Sequence, residues 1–211
     1  MKICGLKTPQ ALEASIAAGA DMAGFVFFAP SPRDVALAMA AALGQQAAGR
    51  IAKVALLVDA ADDAIGAVVA ALKPDFLQLH GDESPLRVAE IRRRMGVKVI
   101  KAIKIAARAD LAAARNYSHA DMLLLDAKPP RGAVLPGGNG LTFDWSILAG
   151  NVLDRPWLLS GGLHPGNVAE ALHVTQARGV DVSSGVESSP GIKDLAKISA
   201  FVQAARGMGA A

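Results

Sequence analysis

KICGLKTPQALEASIAAGADMAGFVFF, Lys2 to Phe28, contains a strand, a helix and the next strand in one short span. Lys2 to Cys4 is a short apolar stretch that breaks at Gly5. Pro9 to Ala20 reads as a helix, with Thr8 as its N-cap and Pro9 in the first turn, where the missing N–H costs nothing. Met22 to Phe28 is apolar without interruption, as a strand covered on both faces requires. The turn between the first strand and its helix carries only Gly5. An open doubly wound sheet usually places a glycine-rich phosphate loop there, so the span favours a closed barrel.

The same alternation continues along the chain. Further apolar runs occur at Ile51 to Val58, Phe76 to His80, Val97 to Ile103, Met122 to Asp126, Trp157 to Ser160 and Val180 to Ser184, giving eight strand candidates in all. Between them lie helical segments such as Pro85 to Gly96, capped by Ser84. Asp194 to Gly207 closes the chain, with Leu195, Ile198, Phe201 and Val202 at helical spacing. Eight units of roughly 26 residues each are close to the minimum for a strand, a helix and two turns. The expected fold is a single (β/α)8 TIM barrel over residues 1–211. The longest irregular segment, Ala127 to Thr142, is too short for a second domain, and its glycines suit a mobile lid.

Composition excludes several classes. The chain is 52% hydrophobic, yet no apolar run reaches the ~18–20 residues of a membrane helix. MKICGLKTP meets Lys7 and Pro9 before a signal-peptide core could form. One cysteine cannot close an internal disulfide, which points to a reducing cytoplasm. A net charge of +3 with 4% aromatic residues gives little material for stacking bases, so no nucleic acid is expected. Arg92 to Arg94 is the densest basic cluster and reads as a solvated helix end. The Ala-rich segment Ala38 to Gly49 suits packing on the barrel or on a second copy, and leaves the oligomeric state open.

Barrel enzymes draw their reactive groups from the carboxyl ends of the strands. Cys4 ends the first strand, Arg33 follows the second, His80 ends the fourth and Asp126 ends the sixth. Cys4 is either a buried small hydrophobe or a base, and Asp126 either a turn residue or a general acid. Arg33 is a surface ion pair or a clamp for a carboxylate. His80 reads first as a hydrogen-bonded strand-end residue. No His/Cys/Asp/Glu spacing suggests a metal. SGGLHPGNV and VSSGVESSPG follow the seventh and eighth strands, where barrels commonly bind phosphate on backbone N–H groups. Gly161, Gly162 and Gly185 would allow close approach, and Ser183 and Ser184 would add hydroxyl donors. The expected ligand is a small phosphorylated molecule.

These blocks resemble the phosphoribosylanthranilate isomerase family of tryptophan biosynthesis. The likeness runs from KICG through GADMAGFVF…SPR, LQLHGDE, VIKAI, LLLDAK, GGNGLTFDW and LSGGLHPGNV to VDVSSGVESSPGIKDLAKISAF. It implies an Amadori rearrangement without a cofactor, with Cys4 as base, Asp126 as acid and Arg33 on the anthranilate carboxylate. The last two loops would then hold the phosphate. His80, Lys101 and Asp181 are supporting candidates. A free thiol has a pKa of about 8.5, so Cys4 is expected to be depressed by a neighbouring charge, from Lys2, Lys7 or Lys101. The chain departs from the family pattern at Ser160, where alanine is more usual, at Asn139 in place of threonine, and in its extended KPPRGAVLP segment. The rivals are a histidine-pathway-type isomerase or another phosphosugar enzyme on the same barrel, and a barrel that binds a phosphometabolite without catalysis.

Overall fold

The computed structural model describes residues 1–128, 137, 140, 142–148, 150 and 153–207. Eight parallel strands form one sheet. They are β1 (Lys2–Cys4), β2 (Met22–Phe27), β3 (Ala52–Leu57), β4 (Phe76–Leu79), β5 (Lys98–Ile105), β6 (Met122–Ala127), β7 (Trp157–Leu159) and β8 (Asp181–Val182). The order runs from β7 down to β1 and then to β8. A parallel bridge between Leu159 and Val180 joins the two edges, so the sheet closes into the expected TIM barrel.

Seven α-helices are present among the described residues: α1 (Pro9–Ala18), α2 (Leu37–Ala47), α3 (Asp62–Leu72), α4 (Pro85–Met95), α5 (Leu111–Ala114), α6 (Val168–Thr175) and α7 (Leu195–Gly207). The cap residues act as their types dictate. Thr8 accepts a hydrogen bond from the Ala11 amide, and Ser84 accepts one from Arg87. Gly19 and Gly96 stop α1 and α4 in the left-handed conformation, at φ +87° and +64°, which glycine adopts without a Cβ clash. α1 therefore ends two residues before the Ala20 expected for it. The basic cluster lies at the end of α4, the solvated helix end expected of it, where Arg92 pairs with Asp121 and Arg94 with Asp62. The unit between β6 and β7 has only a 3₁₀ turn at Trp145–Leu148 among its described residues. Asn139 and most of the expected lid, 129–136 included, lie outside the described residues.

Side-chain alternation along each strand divides the core in two. Outward residues such as Phe25, Leu57, Leu77, Val99, Leu123 and Leu159 pack under the helices. Inward residues Val54, Ile100, Ala102, Leu124 and Leu158 plug the barrel. Along β1 to β7 the inward positions carry even numbers, which puts Cys4, Gln78, His80, Asp126 and Ser160 above that plug.

This alternation corrects the reading of Lys101. It shares the parity of Val99 and Ile103, so it leaves β5 on the outer face, away from Cys4. There its ammonium reaches Glu83 Oε2 at 2.6 Å and the Leu79 and Gly81 carbonyls at 3.2 and 2.8 Å. Glu83 in turn accepts from the Asp59 and Gly81 amides, tying the β3 and β4 loops to the sheet. Lys101→Met would leave the Glu83 carboxylate buried and unpaired, and is expected to destabilise the fold by about 3–5 kcal/mol. Urea unfolding measures the loss, with activity per folded molecule retained.

Candidate active site

The carboxyl ends of the strands surround an open cavity, the usual place for a small-molecule ligand in a barrel. Cys4, Arg33, His80, Asp126, Asp181 and the Gly161–Gly162 turn all line it. Seven of the eight strand ends, all but that of β5, thus bring together residues scattered over the whole chain.

Cys4 ends β1 and is buried. Its neighbour across the ladder is Gly24, where an added Cβ would lie 2.9 Å from Cys4 Sγ and 3.1 Å from Lys2 Cε. A side chain at position 24 would displace the sulfur, so the glycine makes room for it. Lys2 shares the inward face of β1 and donates to Asp181 Oδ1 at 2.7 Å, while Ser160 donates to Asp181 Oδ2 at 3.2 Å. Burial works against the Lys2 charge, yet Asp181 and Cys4 outweigh it and raise the Lys2 pKa.

The thiol itself is not depressed. Burial pushes the Cys4 pKa above the ordinary thiol value; the Lys2 charge opposes this, Asp181 adds to it, and Lys193 opposes it. Of Lys2, Lys7 and Lys101, Lys2 is the one acting on Cys4. Lys7 donates to the Pro32 carbonyl at an exposed position, and Lys101 lies behind the sheet.

Asp126 is buried at the end of β6. Its Oδ1 accepts from the Ala127 amide at 2.9 Å, and its Oδ2 lies 3.1 Å from His80 Nε2. The far ring nitrogen, Nδ1, is 2.9 Å from Gln78 Nε2. Gly137 passes directly over the pair. A Cβ there would come within 2.5 Å of His80 Nε2 and 2.6 Å of Asp126 Oδ2, so only glycine fits without displacing the acid.

Arg33 is buried, not a surface residue. Its Nε and Nη2 donate to the two Glu187 oxygens, each at 2.8 Å, and Lys193 donates to Glu187 Oε1 at 2.8 Å. Burial opposes ionisation of Glu187, but Arg33 and Lys193 outweigh it and hold the carboxyl below its ordinary value. A guanidinium has five N–H donors, so one fork on Glu187 leaves the Nη1–Nη2 edge for a second carboxylate. The aliphatic stem of Arg33 explains Gly5: a Cβ there would lie 2.8 Å from Arg33 Cδ, and φ is +79°.

The two glycine turns meet on the cavity wall. Gly161 and Gly162 have φ of +95° and +62°, and a Cβ on Gly161 would strike the Ala127 amide at 2.7 Å. Among the described residues none accepts from the backbone N–H groups of Gly161, Gly162 or Ser184. One of the expected phosphate residues, Ser183, has partners of its own. The Ser183 hydroxyl donates to the Cys4 carbonyl at 3.1 Å and accepts from Lys193 at 3.3 Å. Gly185 packs so tightly that a Cβ would sit 1.9 Å from the Leu163 carbonyl oxygen, which joins the two turns. That contact also cuts β8 short: the chain turns into a 3₁₀ segment at Ser184–Val186, where a strand to Ser184 was expected.

Sequence reasoning did not find Glu187, Lys193 or Gln78. The first two lie in a short antiparallel pair, Glu187–Ser189 with Ile192–Lys193, too brief to show a period, and the Arg33 that Glu187 holds is 154 residues away. Gln78 was legible as an amide at an inward, even-numbered strand position two residues before His80. Among the described residues, no group of three or more His, Cys, Asp or Glu side chains could hold a metal, and no helix is long and apolar enough to cross a membrane.

The family model for N-(5'phosphoribosyl)anthranilate (PRA) isomerase matches residues 1–204. An N-(5'-phosphoribosyl)anthranilate isomerase from Rhodopseudomonas palustris (strain HaA2) is 56% identical over 207 residues, covering 98% of this chain and 95% of that protein. Among solved structures, phosphoribosyl anthranilate isomerase from Thermotoga maritima superposes with a TM-score of 0.87 at 35% identity, covering 98% of both chains. A phosphoribosyl anthranilate isomerase in complex with reduced 1-(o-carboxyphenylamino)-1-deoxyribulose 5-phosphate matches with a TM-score of 0.83 at 33% identity. It covers 98% of this chain and 97% of that one.

Proposed function

From the premise that the chain belongs to the N-(5'-phosphoribosyl)anthranilate isomerase family, we propose how its residues divide the work of that reaction. The reaction is the Amadori rearrangement of N-(5-phosphoribosyl)anthranilate to 1-(2-carboxyphenylamino)-1-deoxyribulose 5-phosphate in tryptophan biosynthesis. The observation that carries the assignment is the convergence of a thiol and a carboxyl, Cys4 and Asp126, on one cavity whose remaining wall suits two anions.

Asp126, protonated, donates to the furanose ring oxygen as the anthranilate nitrogen pushes the C1–O bond open, leaving an iminium at C1. Cys4, as thiolate, removes the C2 proton, and the electron pair flows to the iminium to give an enolamine. Tautomerisation moves the enol proton from oxygen to C1 and yields the ketone. Asp126 has lost one proton and Cys4 has gained one, so a single proton passed back through solvent resets the pair. The substrate nitrogen is the electron sink, so these steps call on no cofactor.

The free edge of Arg33 takes the anthranilate carboxylate, with Glu187 holding the guanidinium in plane. The unpaired N–H groups of Gly161, Gly162 and Ser184 take the phosphate, helped by the Ser184 hydroxyl. Gly185, next to Ser184 and likewise without an acceptor for its N–H among the described residues, joins them, and Ser183 acts behind them as a strut. Lys2 and Asp181 sit below Cys4 and set the charge it feels. A small phosphorylated substrate and a cytoplasmic setting accord with this role.

Arg33→Lys replaces a planar fork by a point charge and is expected to raise KM about tenfold, with a smaller effect on kcat; steady-state kinetics separate the two. The activity itself is tested by following fluorescence as enzymatically generated phosphoribosylanthranilate is consumed. Consumption well above the uncatalysed rate is expected, and background-rate loss would contradict the proposal.

A further inference from the structure

Gln78 Oε1 is one of two buried side-chain polar atoms without a hydrogen-bond partner among the described residues. Gln78 is fully buried on the inner face of β4, paired in register with Leu56 and Ile100. A carboxamide in such a layer normally has partners at both ends. Here one end reaches His80 Nδ1 at 2.9 Å, and His80 Nε2 lies 3.1 Å from Asp126 Oδ2. The three side chains form a line from the barrel plug to the carboxyl at the cavity.

A neutral imidazole has one N–H donor and one acceptor nitrogen, so the line has two consistent neutral arrangements. In one, the Gln78 amide donates to Nδ1, and Nε2–H donates to an Asp126 carboxylate. In the other, the carboxamide is turned half around. Oε1 then accepts from Nδ1–H, and Nε2 accepts from a protonated Asp126. Each leaves the far end of the carboxamide unpaired, the oxygen in the first and the NH2 in the second. A network satisfied in only one orientation would be locked; this one has no fully satisfied orientation.

We propose that Gln78 is a positioning residue for the general acid: its carboxamide orientation selects the His80 tautomer, and with it whether Asp126 is held with or without its proton. The inference rests on Asp126 as the acid. The arrangement with Nδ1–H holds the acid ready for substrate, and the one with Nε2–H holds the carboxylate left after proton transfer. Passing between them releases the Nδ1 proton to solvent and takes one from solvent at Nε2, so the imidazole gains none and Gln78 carries no proton.

The test combines 15N NMR of the full chain labelled at histidine with steady-state kinetics. Imidazole 15N shifts report the tautomer, and the His80 signals are those lost in His80→Asn. In Gln78→Met, which has no polar end, His80 is expected to show mixed tautomers, with kcat down ~10-fold or more and KM within about twofold. Gln78→Glu, acceptor only, is expected to keep Nδ1–H and most of kcat. An unchanged His80 tautomer in Gln78→Met, or an altered tautomer with unchanged kcat, would overturn the proposal. Should Gln78→Met fail to fold, Gln78→Glu decides: Nδ1–H with kcat retained supports it, and the other tautomer or a lost kcat overturns it. Asp126→Asn separates the two levels. Full activity there removes the acid assignment itself, whereas an inactive Asp126→Asn beside a fully active Gln78→Met of altered tautomer removes only the role of Gln78.

Discussion

Cys4→Ala is expected to lower kcat by about 10²–10⁴-fold, the range over which a positioned base contributes, while the protein stays folded. The substitution removes only a sulfur from a buried site, a cost of about 1 kcal/mol, and leaves the Lys2–Asp181 pair intact. Binding of a product analogue should be retained, because the anion contacts proposed for Arg33 and the glycine turns do not involve the sulfur. Titration of analogue binding beside turnover separates a lost base from a damaged site. An active Cys4→Ala would return this residue to the passive packing that a lone buried cysteine most simply suggests.

Asp126→Asn is the second large effect, again about 10²–10⁴-fold in kcat. Asparagine is nearly isosteric and its Oδ1 can still accept from the Ala127 amide, as the carboxylate does at 2.9 Å. What it lacks is a transferable proton. With Oδ1 on that amide, Nδ2 faces His80 Nε2 and donates to it, so His80 keeps a partner as the Nδ1–H tautomer. The loss should therefore fall on turnover and leave thermal stability near that of wild type. A variant inactive only because it is unfolded would show up in the melting curve.

Much of this site was legible because barrel topology converts strand order into position. Once eight apolar runs were counted, Cys4, His80, Asp126 and the last two turns had to share one rim. Cap chemistry was also local, and Thr8, Ser84 and Gly96 act as their types suggest. Lys101 was misplaced because its strand was read as an apolar run without its alternation. Val99, Lys101 and Ile103 share a parity, and that parity faces the helices. Arg33 was read against a surface ion pair or a ligand, while its actual partner is Glu187, 154 residues away. No local pattern predicts such a pair. The Cys4 pKa went the other way for a related reason: charge near the thiol was visible in Lys2, but the burial that outweighs it is a property of the assembled barrel.

Lys2, Asp181 and Cys4 show how the barrel manages this conflict. An ammonium beside the sulfur favours thiolate, and a carboxylate beside that ammonium takes back part of the effect. The resting thiol stays protonated, and the base forms at the expense of burial. Because the raised pKa belongs to the free enzyme, it should govern kcat/KM, which reports free-enzyme ionisations.

The measurement closest to the central claim is kcat/KM against pH for wild type and Cys4→Asp, between about pH 7 and 9, where an aspartate is already ionised. With Cys4 as a base of raised pKa, log kcat/KM of the wild type climbs by about one per pH unit relative to that of Cys4→Asp, the Asp126 ionisation being common to both. Wild-type and Cys4→Asp profiles that run parallel over this range would show that the titrating base is some other group.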